Sequence, residues 1–344
     1  MAAKVWYGNQ YFEVPDEKFE EVAKAILPSD VTSANLHLVD FDEAVTLYGS
    51  YETPLIARLA HKESKGVTHY WGDKDIGGGT SVNAQADNFT LTTLTEIDTL
   101  PDRRSNTCQI IANLAAVGAS QQAEAQKGGM LGIDDLVQDQ RDDAMTMTLK
   151  DLEYSLVHAV ENTGSPRQME GLKKFIQDNS GVNYYSGSGN AFDEDMLISW
   201  LETIRDRKTG YFPDALYCSG RILKKISSWT ANRVNFSVDI TRMDAAMSQL
   251  ASLGAGQAAG FYVTPDGHVL KLYYHPNIAH SGTAGNNFVM GLTERLVRIA
   301  ELRPLQVIPS AKLTDGFYEV VLIECTVEIK VPPAHGVLYN FSAS

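Results

Sequence analysis

The run from Ile133 to Thr163 contains neither glycine nor proline, and an unbroken run of that length points to a single long helix. Asp134 or Asp135 stands where an acidic side chain accepts from free backbone amides and complements the helix dipole. Met145, Leu149, Leu152, Leu156, Ala159 and Val160 form an apolar stripe along its second half. The pattern predicts about 27 helical residues, roughly 40 Å at 1.5 Å per residue and about twice the usual globular length.

The segment before it has the opposite character. Strand-like pieces at Val67–Trp71 and Asn88–Thr95 flank a flexible centre at Ile76-Gly77-Gly78-Gly79. Thr90, Thr92, Thr93 and Thr95 favour an extended backbone with at least one wet face. Gly66 to Arg104 therefore reads as a long two-stranded excursion, and two strands alone cannot cover their own faces. Such a ribbon needs another surface to lie on, and a neighbouring molecule can supply it. Ser105 to Ala119, apolar from Ile110 to Val117, fits a buried strand or a short helix equally well.

Nearer the start, Asp16 can cap a short amphipathic helix through Phe19, Val22, Ala23, Ile26 and Leu27 that Pro28 stops. Val31 to Tyr51 fits an extended arm. Beyond Gly164, Ser165 and Pro166, the run Tyr184–Asn190 reads as a mobile loop, and Asp193 caps a helix whose Met196, Leu197, Trp200, Leu201 and Ile204 share a face. A buried strand at Ala215–Cys218, a helix carrying Ile222, Leu223 and Ile226, and a hairpin turning at Asp266-Gly267 follow. This alternation suggests a second lobe. Phe317 to Val331 alternates as the clearest strand of the chain.

At 344 residues, 44% hydrophobic and 21% charged, the chain can bury a real core in one large or two modest domains. A formal net charge of −14 argues against a chain-wide grip on nucleic acid, which rests on cations displacing counterions from phosphates. Cys108, Cys218 and Cys325 are far apart and lie in apolar contexts, so neither a disulfide framework nor a zinc site is expected. No apolar run of about eighteen residues occurs, and the start lacks the pattern of a secretion signal. The expected location is the cytosol of the cell that makes it.

Catalytic patterns are weak. Gly254-Ala255-Gly256-Gln257-Ala258-Ala259 fits a dinucleotide fingerprint, but a helical run precedes it and a strand follows, the reverse of the required order. Gly77–Gly79 lacks the Lys-Ser/Thr of a phosphate loop. His268, His275 and His280 have no acid or cysteine at ligand spacing and read as surface or loop histidines. Adjacent acids such as Asp134/Asp135 and Asp142/Asp143 diverge by about 100° on a helix and suit capping and solvation. No nucleophile elbow is present. No catalytic, cofactor or metal residue is expected.

Several short motifs come in a telling order: Thr53-Pro54-Leu55-Ile56, His69-Tyr70-Trp71 with Asp73 and Asp75, Arg104-Ser105-Asn106 with Gln109-Ile110, Asp151-Leu152-Glu153, and Gly171-Leu172. That order resembles tailed-bacteriophage major capsid proteins with the Hong Kong 97 fold. Leu302-Arg303-Pro304, Glu324-Cys325-Thr326-Val327-Glu328 and Ala334-His335-Gly336 are similar to the closing strands of the same proteins. The likeness covers about residues 50–176 and 300–340, with the spacing after Trp71 shifted by one.

The resemblance implies an α+β fold with an N-terminal arm (1–65), an extended β-hairpin loop (66–104), a peripheral domain (105–189) holding a spine helix at 134–160, an axial domain (190–299) and return strands (300–344). It implies hexamers and pentamers tiling an icosahedral phage head, in the virion and in the host cytoplasm during assembly. Packaged double-stranded DNA held by weak contacts is the implied content, with decoration, scaffolding and portal proteins as partners and no membrane. Trp71, Asp73, Lys74, Asp75, Phe89, Arg103, Arg104 and Asn106 are the implied intersubunit contacts, although Trp71 reads equally well as a core residue of its own chain. Lys74 is a candidate lysine for covalent cross-linking, and no cross-link is expected. An encapsulin-like nanocompartment shell is the first alternative, and a nicotinamide-dependent oxidoreductase using 254–259 the second.

Overall fold

The computed structural model describes residues 3–7, 10–14, 53–75, 87, 100–126, 135–231, 260–278, 287–310 and 315–342. The expectations for 16–28, 31–51, Gly77–Gly79, 88–95 with Phe89, 254–259 and His280 lie outside these residues.

In chain order the strands begin with β1 (Ala3–Tyr7), β2 (Gln10–Val14), β3 (Ala60–Glu63), β4 (Thr68–Asp73), β5 (Asp102–Thr107), β6 (Gln109–Gly118) and β7 (Tyr184–Ser186). They continue with β8 (Ala215–Cys218), β9 (Gly260–Val263), β10 (Val269–Tyr274), β11 (Phe288–Leu292), β12 (Val297–Pro309), β13 (Gly316–Ile329) and β14 (Gly336–Tyr339). The helices are α1 (Pro54–Arg58), α2 (Ala119–Gln126), α3 (Leu136–His158), α4 (Leu172–Ser180), α5 (Glu194–Arg205) and α6 (Gly220–Ala231).

The predicted long helix is α3. Asp135 caps it, its side chain accepting from the amides of Val137 and Gln138. The helix stops at His158, two residues short of the expected end, because Ala159 turns extended and pairs with Gly171, whose amide donates to the Ala159 carbonyl at 2.9 Å. A Cβ on Gly171 would lie 2.8 Å from the Ala159 nitrogen, so only glycine allows this approach. Val160 consequently leaves the apolar stripe and is exposed.

Ser105–Gly118 resolves as strand, in β5 and β6. β6 joins the four-stranded sheet in the order β3-β12-β13-β6, antiparallel to β13 with Leu114 opposite Val320. Odd-numbered β6 residues Ile111, Ala115 and Val117 are buried, and Asn113 donates to Thr148 Oγ1 of α3, so this face carries the long helix. Arg141 of α3 grips Glu319 of β13 through Nε at 2.5 Å and Nη2 at 2.8 Å.

The second sheet is six-stranded, β7-β14-β11-β8-β10-β9. Its inner strands β8 and β11 are buried on both faces, which is why Ala215–Cys218 reads as a continuous apolar run. Ala215 and Tyr217 join the core shared with α3 and α4, whereas Leu216 and Cys218 pack with Trp200, Ile204 and Ile226 of α5 and α6. The hairpin at Asp266-Gly267 forms as expected, Gly267 taking a φ of +82°. Tyr184–Asn190, expected as a mobile loop, instead begins with β7, parallel to β14, with Tyr184 stacked on Tyr339 at 4.2 Å. Its Gly187 sits where a Cβ would lie 2.8 Å from Phe341 Cβ, so the glycine serves close packing rather than mobility.

His275 is also a correction: it is fully buried, with Nε2 3.0 Å from Glu153 Oε1. Its Nδ1 accepts from the Asn277 amide, which leaves the hydrogen on Nε2, close to the carboxylate but without hydrogen-bond geometry to it. Glu153 further accepts from the amides of Leu55 and Ile56 at 2.8 and 3.1 Å, capping α1, whose N-cap residue Thr53 makes no side-chain cap. One buried carboxylate thus ties the long helix, α1 and the second sheet together. Glu153→Ala leaves those donors unpaired and is expected to cost about 3 kcal/mol, read as a lowered urea midpoint of the unassembled subunit.

Candidate assembly surface

The described root of the excursion is the antiparallel pair β4–β5, with Trp71 opposite Arg104 and His69 opposite Asn106. The period-two alternation of strands sorts its residues into two faces. His69, Trp71 and Asp73 share one face with Asp102, Arg104 and Asn106, and Thr68, Tyr70 and Gly72 share the other with Arg103, Ser105 and Thr107.

The first face is fastened to its own chain. Trp71 is 6% exposed, donates from Nε1 to the Ile329 carbonyl at 2.9 Å and packs on Phe175 of α4. Asn106 donates from Nδ2 to the carbonyls of Glu170 and Val327, and its Oδ1 accepts from the amides of Glu170 and Thr107. Every hydrogen-bonding position of that buried amide is filled. Asp73 Oδ2 accepts from Arg104 Nε and from the amide of Val331, a β-branched residue held at a φ of +47°. Arg104 continues to Asn179 at 2.5 Å.

Below Trp71, the carboxylate of Glu328 is fully buried and meets His69 Nε2 at 2.7 Å, Lys62 Nζ at 3.1 Å and Lys330 Nζ at 3.5 Å. Burial pushes its pKa up, but the hydrogen bonds from His69 and Lys62 and the charges of Lys62 and Lys330 outweigh that and hold it below the usual carboxylate range. Glu170, beside Asn106, goes the other way: burial first, then the charges of Asp178 and Glu161, push its carboxyl up to about 7.

Of the expected contact residues, Trp71, Asp73, Arg104 and Asn106 are therefore brought together as an internal anchor, and Trp71 takes its own-core reading. Lys74, Asp75 and Arg103 are exposed. Tyr70, which sequence reasoning did not select, is 52% exposed with the Arg103 guanidinium 4.0 Å above its ring. Counting alternate residues outward from Trp71 is the signal that finds it. An open groove of about 490 Å³ runs past Lys62, Glu63, Lys65, Thr68, His69 and Tyr70. Among the described residues no group of three His, Cys, Asp or Glu is placed to hold a metal, and no helix is long and apolar enough to cross a membrane.

A family model described as SU10 major capsid protein matches residues 27–342. Solved structures share the fold at low identity. The cyanophage A-1(L) capsid asymmetric unit is 14% identical with a TM-score of 0.57, covering 90% of this chain and 98% of that one. The capsid of Myoviridae phage XM1 is 12% identical with a TM-score of 0.57 and the same coverage. The holo-SrpI encapsulin complex from Synechococcus elongatus is 12% identical with a TM-score of 0.51, covering 87% and 94%. No curated protein matches.

Two outcomes test the anchor on unassembled subunits. Asn106→Leu strands buried backbone groups and is expected to cost about 2–4 kcal/mol, whereas Arg103→Ala, on the exposed face, is expected to change stability by less than about 0.5 kcal/mol, both read by urea denaturation. Glu170 ionises less readily folded than unfolded, so its contribution is fully present below the ordinary value of 4.5 and is lost as pH rises through about 7. Glu170→Gln is expected to raise the melting temperature relative to wild type more at pH 8 than at pH 5.

Proposed function

Because the chain belongs to the SU10 major capsid protein family, we propose that its copies assemble as hexamers and pentamers into the icosahedral head of a tailed phage around double-stranded DNA. Its role is structural, and the observation that carries this is the family match across residues 27–342. The division into arm, extended loop, peripheral domain and axial domain is part of the proposal. In this reading the four-stranded sheet with α3 is the peripheral part and the six-stranded sheet with α5 and α6 the axial part, which also takes β7 and β14 from the 105–189 and 300–344 ranges.

The anchored root supports this reading physically. A strand pair whose inner face is consumed by its own core leaves its outer face to further contacts. Shell subunits need such rigid projections, because an interface on a preorganised element avoids ordering costs on association. DNA is held weakly in this reading, since a chain of net charge −14 offers little counterion release. Decoration, scaffolding and portal proteins complete the proposed partners, and no catalysis is assigned.

The encapsulin similarity keeps a nanocompartment shell as the second reading. Negative-stain microscopy of the purified protein is expected to show closed shells or rings of five and six. A lone species at 37.8 kDa under assembly conditions would overturn the proposal. Shells that enclose nucleic acid favour the phage head, and shells filled with an enzyme favour the nanocompartment. A boiled, reduced sample is expected to run as a single band, and a ladder would reveal cross-linked subunits.

A further inference from the structure

Three carboxylates gather where the root of the excursion meets its own body. Glu170, 9% exposed, lies just before α4, Asp178 follows about two turns along that helix, and Glu161 stands in the segment leaving α3. The Glu170 carboxyl is within hydrogen-bonding reach of Asp178 and feels the charge of Glu161. Positive charge is scarce around it. Lys174, on the same helix, is drawn to Asp178 at 2.7 Å. β5 contributes the neutral Asn106 amide and Thr107 hydroxyl, and β13 the Val327 carbonyl, while the cations of neighbouring segments are engaged elsewhere, Arg104 with Asp73 and Asn179, and Arg167 with Glu324.

The same acids hold β5. Glu170 donates from its amide to Asn106 Oδ1 at 2.8 Å, and its carbonyl accepts from Asn106 Nδ2 at 2.9 Å. Thr107 Oγ1 donates to Glu161 Oε1 at 3.3 Å. Two successive residues of the root therefore hang on two of the three acids. A carboxyl pair such as Glu170 and Asp178 attracts only while it holds a proton, because one O–H then donates to the other carboxylate, whereas two ionised groups can only accept and repel.

We propose that Glu161, Glu170 and Asp178 form a proton-operated latch on the root of the excursion. With Glu170 protonated, its hydroxyl donates to Asp178 and residue 170 keeps its two-way grip on Asn106. With Glu170 ionised, the three carboxylates repel, the grip loosens and the β4–β5 pair comes away from α4 and β13. Burial, then the charges of Asp178 and Glu161, favour the protonated form while the latch is closed. In the open latch Glu170 meets water and ionises at its ordinary value, so closing is strongest below 4.5 and has lost its proton-linked part once the pH passes about 7. The device belongs to the single subunit, so it goes beyond the shell reading and stands without it.

Amide exchange on unassembled subunits tests it, read as protection factors so that the intrinsic pH dependence of exchange is removed. From pH 5 to pH 8 the protection of residues 102–107 is expected to fall by about tenfold or more. At pH 8 it is expected to lie below that of β8 and β10, so that the root opens while the core stays folded. Glu170→Gln keeps a donor for Asp178 without the charge, and its root is expected to hold the same protection at both values. Equal protection at pH 5 and pH 8 in the wild-type chain, a fall that persists in Glu170→Gln, or a root that exchanges no faster than β8 and β10 at pH 8 overturns the proposal. Should Glu170→Gln fail to fold, Asp178→Asn supplies the second arm. Its amide can donate to ionised Glu170 and Lys174 is freed to pair with it, so the fall is expected to shrink to less than about twofold. A fall of undiminished size in that variant overturns the latch as well.

Discussion

Everything the excursion can do follows from the way one face of a two-stranded ribbon is held. A free pair of strands is marginal in water because neither face is covered. Here Trp71 inserts between β13 and α4 and alone contributes an estimated 2–3 kcal/mol of burial. Asn106 and Asp73 add bonds to backbone groups of Val327, Glu170 and Val331 that have no strand partner in the ribbon. The anchor is bought with buried polarity, so each of those groups is stabilising only while its partners stay in place.

The same logic governs the junction beneath it. Glu153 and Glu328 are both almost fully buried, yet each is surrounded by donors from separate parts of the chain. Burying a carboxylate costs several kcal/mol unless it is paired and hydrogen-bonded. A folded chain that brings these partners to both carboxylates has fixed the positions of α1, β3, β4, α3 and the turn after β10 relative to one another. Polar groups of this kind specify one arrangement more than they strengthen it.

Local signals were legible and distant ones were not. The long helix, its Asp135 cap, the Asp193 cap of α5 and the Asp266-Gly267 hairpin depend on neighbours within a few residues, and the structure shows each. The alternation of β13 was equally plain. The inner face of β4–β5 was hidden because it carries Asp73, Arg104 and Asn106 while Tyr70 points outward, inverting the usual hydropathy of a strand. His275 read as a loop residue because its partner Glu153 lies on another element. Tyr184–Ser186 read as mobile because glycine beside serine looks the same whether it supplies freedom or close packing.

That inversion also governs which charges of a chain of net charge −14 reach the surface of the root. Arg104 and Lys62 neutralise carboxylates inside the anchor, so Asp73 and Glu328 add nothing to the exposed charge of the root. Arg103 and Lys65, left outside, face solvent over an aromatic ring. On α3, Arg141 is drawn to Glu319 near the start of β13. Internal pairing therefore decides which charges reach solvent: Asp73 and Glu328 are spent inside, while Arg103 and Lys65 stay outside beside the exposed acids Asp102 and Glu63. Long-range repulsion between copies is screened within about 8 Å at physiological salt. Net charge sets how fast copies approach one another.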